Sequence, residues 1–79
     1  MLSVKILGPG CSKCRTLERK VRELIEKNNI HAEVLKIEEI TEMMNYGIMM
    51  TPALVVNEKV KSLGIVPKDD QILKWIKEA

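Results

Sequence analysis

Leu2, Val4, Ile6 and Leu7 form a short apolar-rich run that Gly8, Pro9 and Gly10 bring to a stop. A run this brief, bounded by turn-forming residues, predicts a strand. The period then changes. Leu17, Val21, Leu24 and Ile25 recur at i, i+4, i+7 and i+8, which is one face of a helix. Cys14 extends that face by one turn toward the start. The opposite side is charged, with Glu18 and Arg22, Arg19 and Glu23, Arg22 and Glu26, and Glu23 and Lys27 at i,i+4 spacing. Each such pair stabilises a helix by only about 0.2–0.5 kcal/mol. Asn28 and Asn29 predict its end, because Asn tolerates the left-handed conformation found there.

His31 to Ile37 alternates, with Ala32, Val34 and Lys36 on one side and Glu33, Leu35 and Ile37 on the other. This predicts a second strand, covered on both faces. Glu38 to Tyr46 predicts a short helix with Ile40, Met43 and Met44 inward, ended by Gly47. "TPALVVNEKV" predicts two strands joined by a turn at Asn57 and Glu58, a β-hairpin that Gly64 breaks. The final segment from Pro67 predicts a helix. Asp69 and Asp70 suit its first turn, Lys74 and Lys77 suit its end, and Ile72, Leu73 and Ile76 form its buried face. The order strand, helix, strand, helix, strand, strand, helix is that of an α/β protein. Its first strand-helix-strand unit needs a right-handed crossover and a parallel pair, to which the hairpin adds antiparallel strands. The expectation is one domain over residues 1–79: a four-stranded mixed sheet flanked by three helices, in the order βαβαββα.

Composition narrows the function. Net charge is +2 from 13 basic and 11 acidic side chains, too small to argue for nucleic acid, and no aromatic residues interleave with the basic ones. There is no Phe, with one Trp and one Tyr, so the core must be aliphatic and Met-rich. No apolar run approaches the roughly 20 residues of a membrane span. The opening "MLSVKILGPG" lacks the basic start and long apolar centre of a signal peptide. A cytoplasmic location is the default, and there a cysteine pair is seldom a structural staple.

Both cysteines lie in "GPGCSKC", where the first strand gives way to the first helix. Cys11 falls near the helix N-terminus, where free N–H groups and the helix dipole favour an anion and lower a thiol pKa. Lys13 and Arg15 add positive charge nearby. Cys14, on the inward face, is sheltered. Dithiol exchange needs this asymmetry: one sulfur attacks a disulfide, and the other then displaces the product. The spacing alone leaves three readings open. The pair is a redox couple, part of a thiolate carrier for Cu(I) or Zn(II), or two inert thiols in an interaction module. Linear Cu(I) needs only two thiolates, whereas Zn(II) wants four ligands, and the chain offers few others. Met43, Met44, Met49 and Met50 suit core filling better than a copper site. Met49 and Met50 should lie close to Pro52, where they would form an apolar rim. His31, a lone histidine at a turn, reads as a surface residue.

A second feature joins the cysteines. Thr51-Pro52 stands just before the hairpin. With "GPGCSKC", "TPALVVN" and the closing "VPKDDQILKWI", it makes the chain resemble the thioredoxin superfamily over nearly its whole length. The similarity is greatest to its small members of about 80 residues, the redox-active disulfide or glutaredoxin-like thioredoxins. That resemblance implies a thioredoxin-like fold and a thiol–disulfide oxidoreductase working without cofactor or metal. Cys11 matches the nucleophile and Cys14 the resolving cysteine. Pro52 matches a cis-proline facing the disulfide, and Thr51 the position whose backbone pairs with a substrate strand. The implied partners are protein disulfides as substrates and a disulfide reductase as electron donor, with the protein a monomer and no membrane involved. There are departures. Thioredoxins proper carry Trp-Cys-Gly-Pro-Cys where this chain has Gly-Cys-Ser-Lys-Cys, with Lys13 inside the pair as a candidate stabiliser of the Cys11 thiolate. They also carry a buried acid on the strand before the motif, and "LSVKIL" has none. No full glutathione-binding set is matched. Metallochaperones with a similar cysteine pair run βαββαβ and end on a strand, whereas this chain is expected to end on a helix.

Overall fold

The computed structural model describes residues 2–79; Met1, included in the expected domain, lies outside the described residues. The elements are β1 (Leu2–Leu7), α1 (Ser12–Lys27), β2 (Ala32–Ile37), α2 (Ile40–Asn45), β3 (Ala53–Val56), β4 (Lys59–Leu63) and α3 (Asp69–Glu78). The sheet order is β2-β1-β3-β4. β1 runs parallel to β2, from Leu2 opposite Ala32 to Leu7 opposite Ile37. It runs antiparallel to β3, from Val4 opposite Val56 to Leu7 opposite Ala53. β3 and β4 close the hairpin antiparallel. The expected order, strand directions and helix count are all present.

Alternation along β1 divides the core. Val4 and Ile6 point to one face, where they pack with Leu54 and Val56 of β3, Leu17 and Val21 of α1, and Ile72 and Ile76 of α3. Leu7 points to the other face and packs with Ala53 and Val55, Met43 of α2 and Ile48. The sheet is therefore covered by α1 and α3 on one side and by α2 with its following loop on the other. The hairpin turn is held by backbone geometry: Asn57 and Glu58 have φ of 49° and 67°, as a two-residue turn between twisted strands requires. Asn57 also ties the turn to β1, donating its N–H to Ser3 O at 2.8 Å and accepting from Ser3 N at 3.0 Å through Oδ1.

Three expectations are corrected. β2 is not covered on both faces: on the side away from Ala32 and Val34, Leu35 is 41% exposed. Apolar residues on both sides of a strand do not say which side another element packs on. α2 is shorter than expected and turns only Met43 inward, leaving Ile40 71% and Met44 69% exposed. A helix of six residues makes fewer than two turns, so one side chain fills its contact with the sheet. Of the four i,i+4 pairs expected on α1, only Glu18 and Arg22 close an ion pair among the described residues, at 3.1 Å. Exposed pairs of this kind gain little against side-chain entropy.

These placements predict unequal costs. Leu17→Ala, at a fully buried position, is expected to lower stability by about 2–5 kcal/mol. Ile40→Ala is expected to change it by no more than about 0.5 kcal/mol. Urea unfolding midpoints at constant slope measure both.

Candidate active site

α1 starts on a cysteine. Cys11 is its N-cap, with φ −69° and ψ 168°, and its Sγ accepts the Cys14 N–H at 3.2 Å. Ser, Thr, Asp or Asn usually supply this cap oxygen; here a sulfur stands in their place, at the positive end of the helix dipole. Cys11 is exposed and Cys14 is fully buried. The two are joined by a disulfide, their Cα atoms 5.0 Å apart.

Gly8 explains how Cys14 fits there. A Cβ at Gly8 would collide with Cys14 Sγ and would stand 3.7 Å from Thr51 Cβ. Only a residue without a side chain lets the sulfur and the Thr51 loop close over the end of β1. Gly8 N also donates to Ile37 O at 2.8 Å, extending the β1–β2 ladder to the edge of the site. This role was not read from the sequence. The available signal was a Gly continuing the strand alternation just before a cysteine pair.

The Thr51–Pro52 peptide is cis. Pro52 is buried, and its carbonyl accepts from Gly64 N at 2.8 Å. Gly64 has φ +71°, and a Cβ there would come within 2.8 Å of Met50 Cε. The loop thus rests on the end of the hairpin. Thr51 is exposed, and neither its backbone N–H nor its carbonyl makes a hydrogen bond among the described residues. Met49 is 96% and Met50 60% exposed. Of the methionines expected to fill the core, Met43 does so, while Met44, Met49 and Met50 stay on the surface. Met44, Gly47, Ile48 and Met49 surround an apolar depression of about 420 Å³. Lys13 is exposed in the first turn of α1, and His31 is exposed at the turn before β2.

On the side of the sheet that α2 covers is a charged cluster missed in the sequence. Lys5 Nζ donates to Tyr46 Oη at 2.6 Å and to Glu58 Oε1 at 2.7 Å. Tyr46 Oη donates to Glu58 Oε2 at 2.7 Å, and Lys5 Nζ stands 5.3 Å from the centre of the Tyr46 ring. The hydrogen bond to Glu58, then that to Tyr46, raises the Lys5 pKa above the ordinary lysine value. The hydrogen bonds from Lys5 and Tyr46 hold the Glu58 carboxyl below the usual range. Tyr46 caps the C-terminus of α2, so β1, the hairpin turn and the end of α2 are tied at one point. The signal in the sequence was a lysine in the middle of an apolar-rich strand.

Among the described residues, no group of three or more His, Cys, Asp or Glu side chains is placed to hold a metal ion. The "Thioredoxin domain" family model matches residues 2–77. The chain belongs to the thioredoxin domain family. A thioredoxin of Methanothermobacter thermautotrophicus is 34% identical over 74 residues, covering 94% of this chain and 96% of that protein. A thioredoxin of Methanocaldococcus jannaschii is 26% identical over 77 residues, covering 98% and 88% respectively. Among solved structures, the germline-specific thioredoxin Deadhead of Drosophila melanogaster superposes with a TM-score of 0.70 at 20% identity, over 98% of this chain and 79% of that one. The oxidised thioredoxin of Plasmodium falciparum superposes with 0.64 at 15% identity, over 98% and 79%. These structural likenesses show a thioredoxin-like fold. With the family and its relatives, they make this thioredoxin-family chain a thiol–disulfide oxidoreductase. Among the described residues, no helix is long and apolar enough to cross a membrane.

The clamp of Lys5, Tyr46 and Glu58 predicts a pH effect. Glu58 has a depressed folded-state pKa. Its contribution to stability is therefore present above the unfolded value of about 4.3 and is lost as pH falls through the folded value. Glu58→Gln should flatten the acid limb of stability against pH. Urea unfolding at steps from neutral pH down to about pH 3 reads this, and equal slopes in both proteins would show that the clamp contributes nothing.

Proposed function

We propose that Cys11 is the nucleophile and Cys14 the resolving cysteine of an exchange with protein disulfides. The observation that carries this reading is the bonded pair itself, with an exposed sulfur at the helix start and a buried one a turn later. The Cys11 thiolate attacks one sulfur of a substrate disulfide. That S–S bond breaks, the departing sulfur leaves as a thiolate and takes a proton from water, and Cys11 is held in a mixed disulfide. Cys14 gives its proton to solvent and attacks Cys11 Sγ, expelling the second substrate sulfur as a thiolate. Two electrons pass to the substrate, and the protein is left with the Cys11–Cys14 bond. A disulfide reductase restores the dithiol by the reverse exchange.

Thr51 and Pro52 form the substrate-binding loop in this proposal. The unpaired backbone of exposed Thr51 supports pairing with an extended substrate segment, in the manner of strand addition. Met49 and Met50 supply an apolar rim. Lys13 tunes the site by favouring the Cys11 thiolate electrostatically. The protein acts as a monomeric single domain over residues 1–79 in the cytoplasm, without cofactor or metal.

The wild type should accelerate insulin reduction by dithiothreitol. Cys11→Ser should abolish this, and Cys14→Ser should accumulate a mixed disulfide detectable by mass. A wild type without activity would refute the proposal. Lys13→Ala should raise the Cys11 thiol pKa, read from thiolate absorbance against pH. An unchanged titration would remove Lys13 from the site.

A further inference from the structure

Charge is unevenly spread along α1. Lys13, Arg15 and Arg19 lie in its first half, with no acidic residue in the first turn. Among the described residues none of the three has an ion-pair partner. The next two basic residues, Lys20 and Arg22, are engaged. Lys20 meets Asp69 at 3.0 Å and donates to Pro67 O at 2.9 Å, and Arg22 meets Glu18 at 3.1 Å. Glu18 also faces Lys36 at 3.7 Å, so its charge is already countered. The next carboxylate on the outer face is Glu23, a turn beyond Arg19.

Arg15 and Arg19 share the outward face with Ser12 and Thr16, around a depression of about 390 Å³. Arg15 is fixed there: its Nε donates to Gly10 O at 3.2 Å, holding the guanidinium against the loop that presents Cys11. Its terminal amino groups have no acceptor among the described residues. The helical rise sets the Cα of Arg19 about 12 Å along the axis from Cys11, while the pinned Arg15 guanidinium lies back at Gly10, beside the cysteine loop. An extended polypeptide advances about 3.3 Å per residue, so this span corresponds to about four residues from a bound cysteine.

We infer that this face docks an acidic polypeptide: a protein disulfide partner with carboxylates within about four residues of the cysteine that Cys11 attacks. The inference rests on the exchange reading above and adds the chemistry of the partner. Opposite charge across an exposed surface acts mainly on the rate of encounter and is weakened by salt.

The test uses the reduced full chain and two peptides, each with one cysteine blocked by 2-mercaptoethanol. One carries Asp two and four residues to either side of the cysteine, and the other carries Asn there. In each reaction the Cys11 thiolate forms a bond to the peptide sulfur and mercaptoethanol leaves as its thiolate. Cys14 then displaces the peptide thiol and the protein becomes the disulfide. At about 10 mM salt the Asp peptide should react about tenfold faster than the Asn peptide, and the ratio should fall toward one at about 0.5 M. Arg19→Glu should cut the low-salt ratio at least threefold, and Arg19→Lys should restore most of it. Equal rates for the two peptides, or a ratio that survives Arg19→Glu, would overturn the inference. No reaction of either peptide with the wild type would instead overturn the exchange reading, and the inference with it.

Discussion

The register of β1 against β3 is the constraint on which the site depends. Leu7, the last residue of β1, lies opposite Ala53, the first of β3. The chain leaves β1 into the cysteine loop and enters β3 from Pro52. That one pairing therefore sets side by side two segments distant in sequence. It holds because Val4, Ile6, Leu54 and Val56 bury one face while Leu7, Ala53 and Val55 bury the other. A slip of one residue would send every side chain to the wrong face.

The two sulfurs then differ for reasons of position. Cys11 stands outside the first turn of α1 as its cap, in reach of water and of the helix N–H groups. Cys14 has turned inward with Leu17 and Val21 and lies against Gly8. A sulfur at the positive end of a helix is favoured as an anion, whereas burial disfavours charge. The same short segment thus supplies an attacking group and a sheltered one.

Charge in this protein is arranged in two groups. On the α2 side of the sheet, Lys5, Tyr46 and Glu58 satisfy one another and link β1, the end of α2 and the hairpin turn. On the outside of α1, Arg15 and Arg19 have no such partners. The first arrangement ties three elements of the fold together. The second leaves cations free beside the exposed sulfur, where a partner would meet them.

Much of this was legible in the chain. Periods of two and of 3.6 are local, so the apolar positions of β1, α1 and α3, the hairpin turn at Asn57 and Glu58, and the placing of both cysteines at a strand-to-helix junction were read without coordinates. The limits were equally physical. The inward face of α2 was misread because six residues are too few for a period to separate Met43 from Ile40 and Met44. β2 reads as covered because alternation does not record on which face another element packs. The needs of Gly8, the clasp of Lys5 with Tyr46 and Glu58, and the pinning of Arg15 to Gly10 O arise from contacts between segments. The sequence by itself determined the elements and the chemistry available, since both depend on residue type and short-range spacing. Only the tertiary structure decided which side chains face the site, because that depends on packing between residues that are not neighbours in the chain.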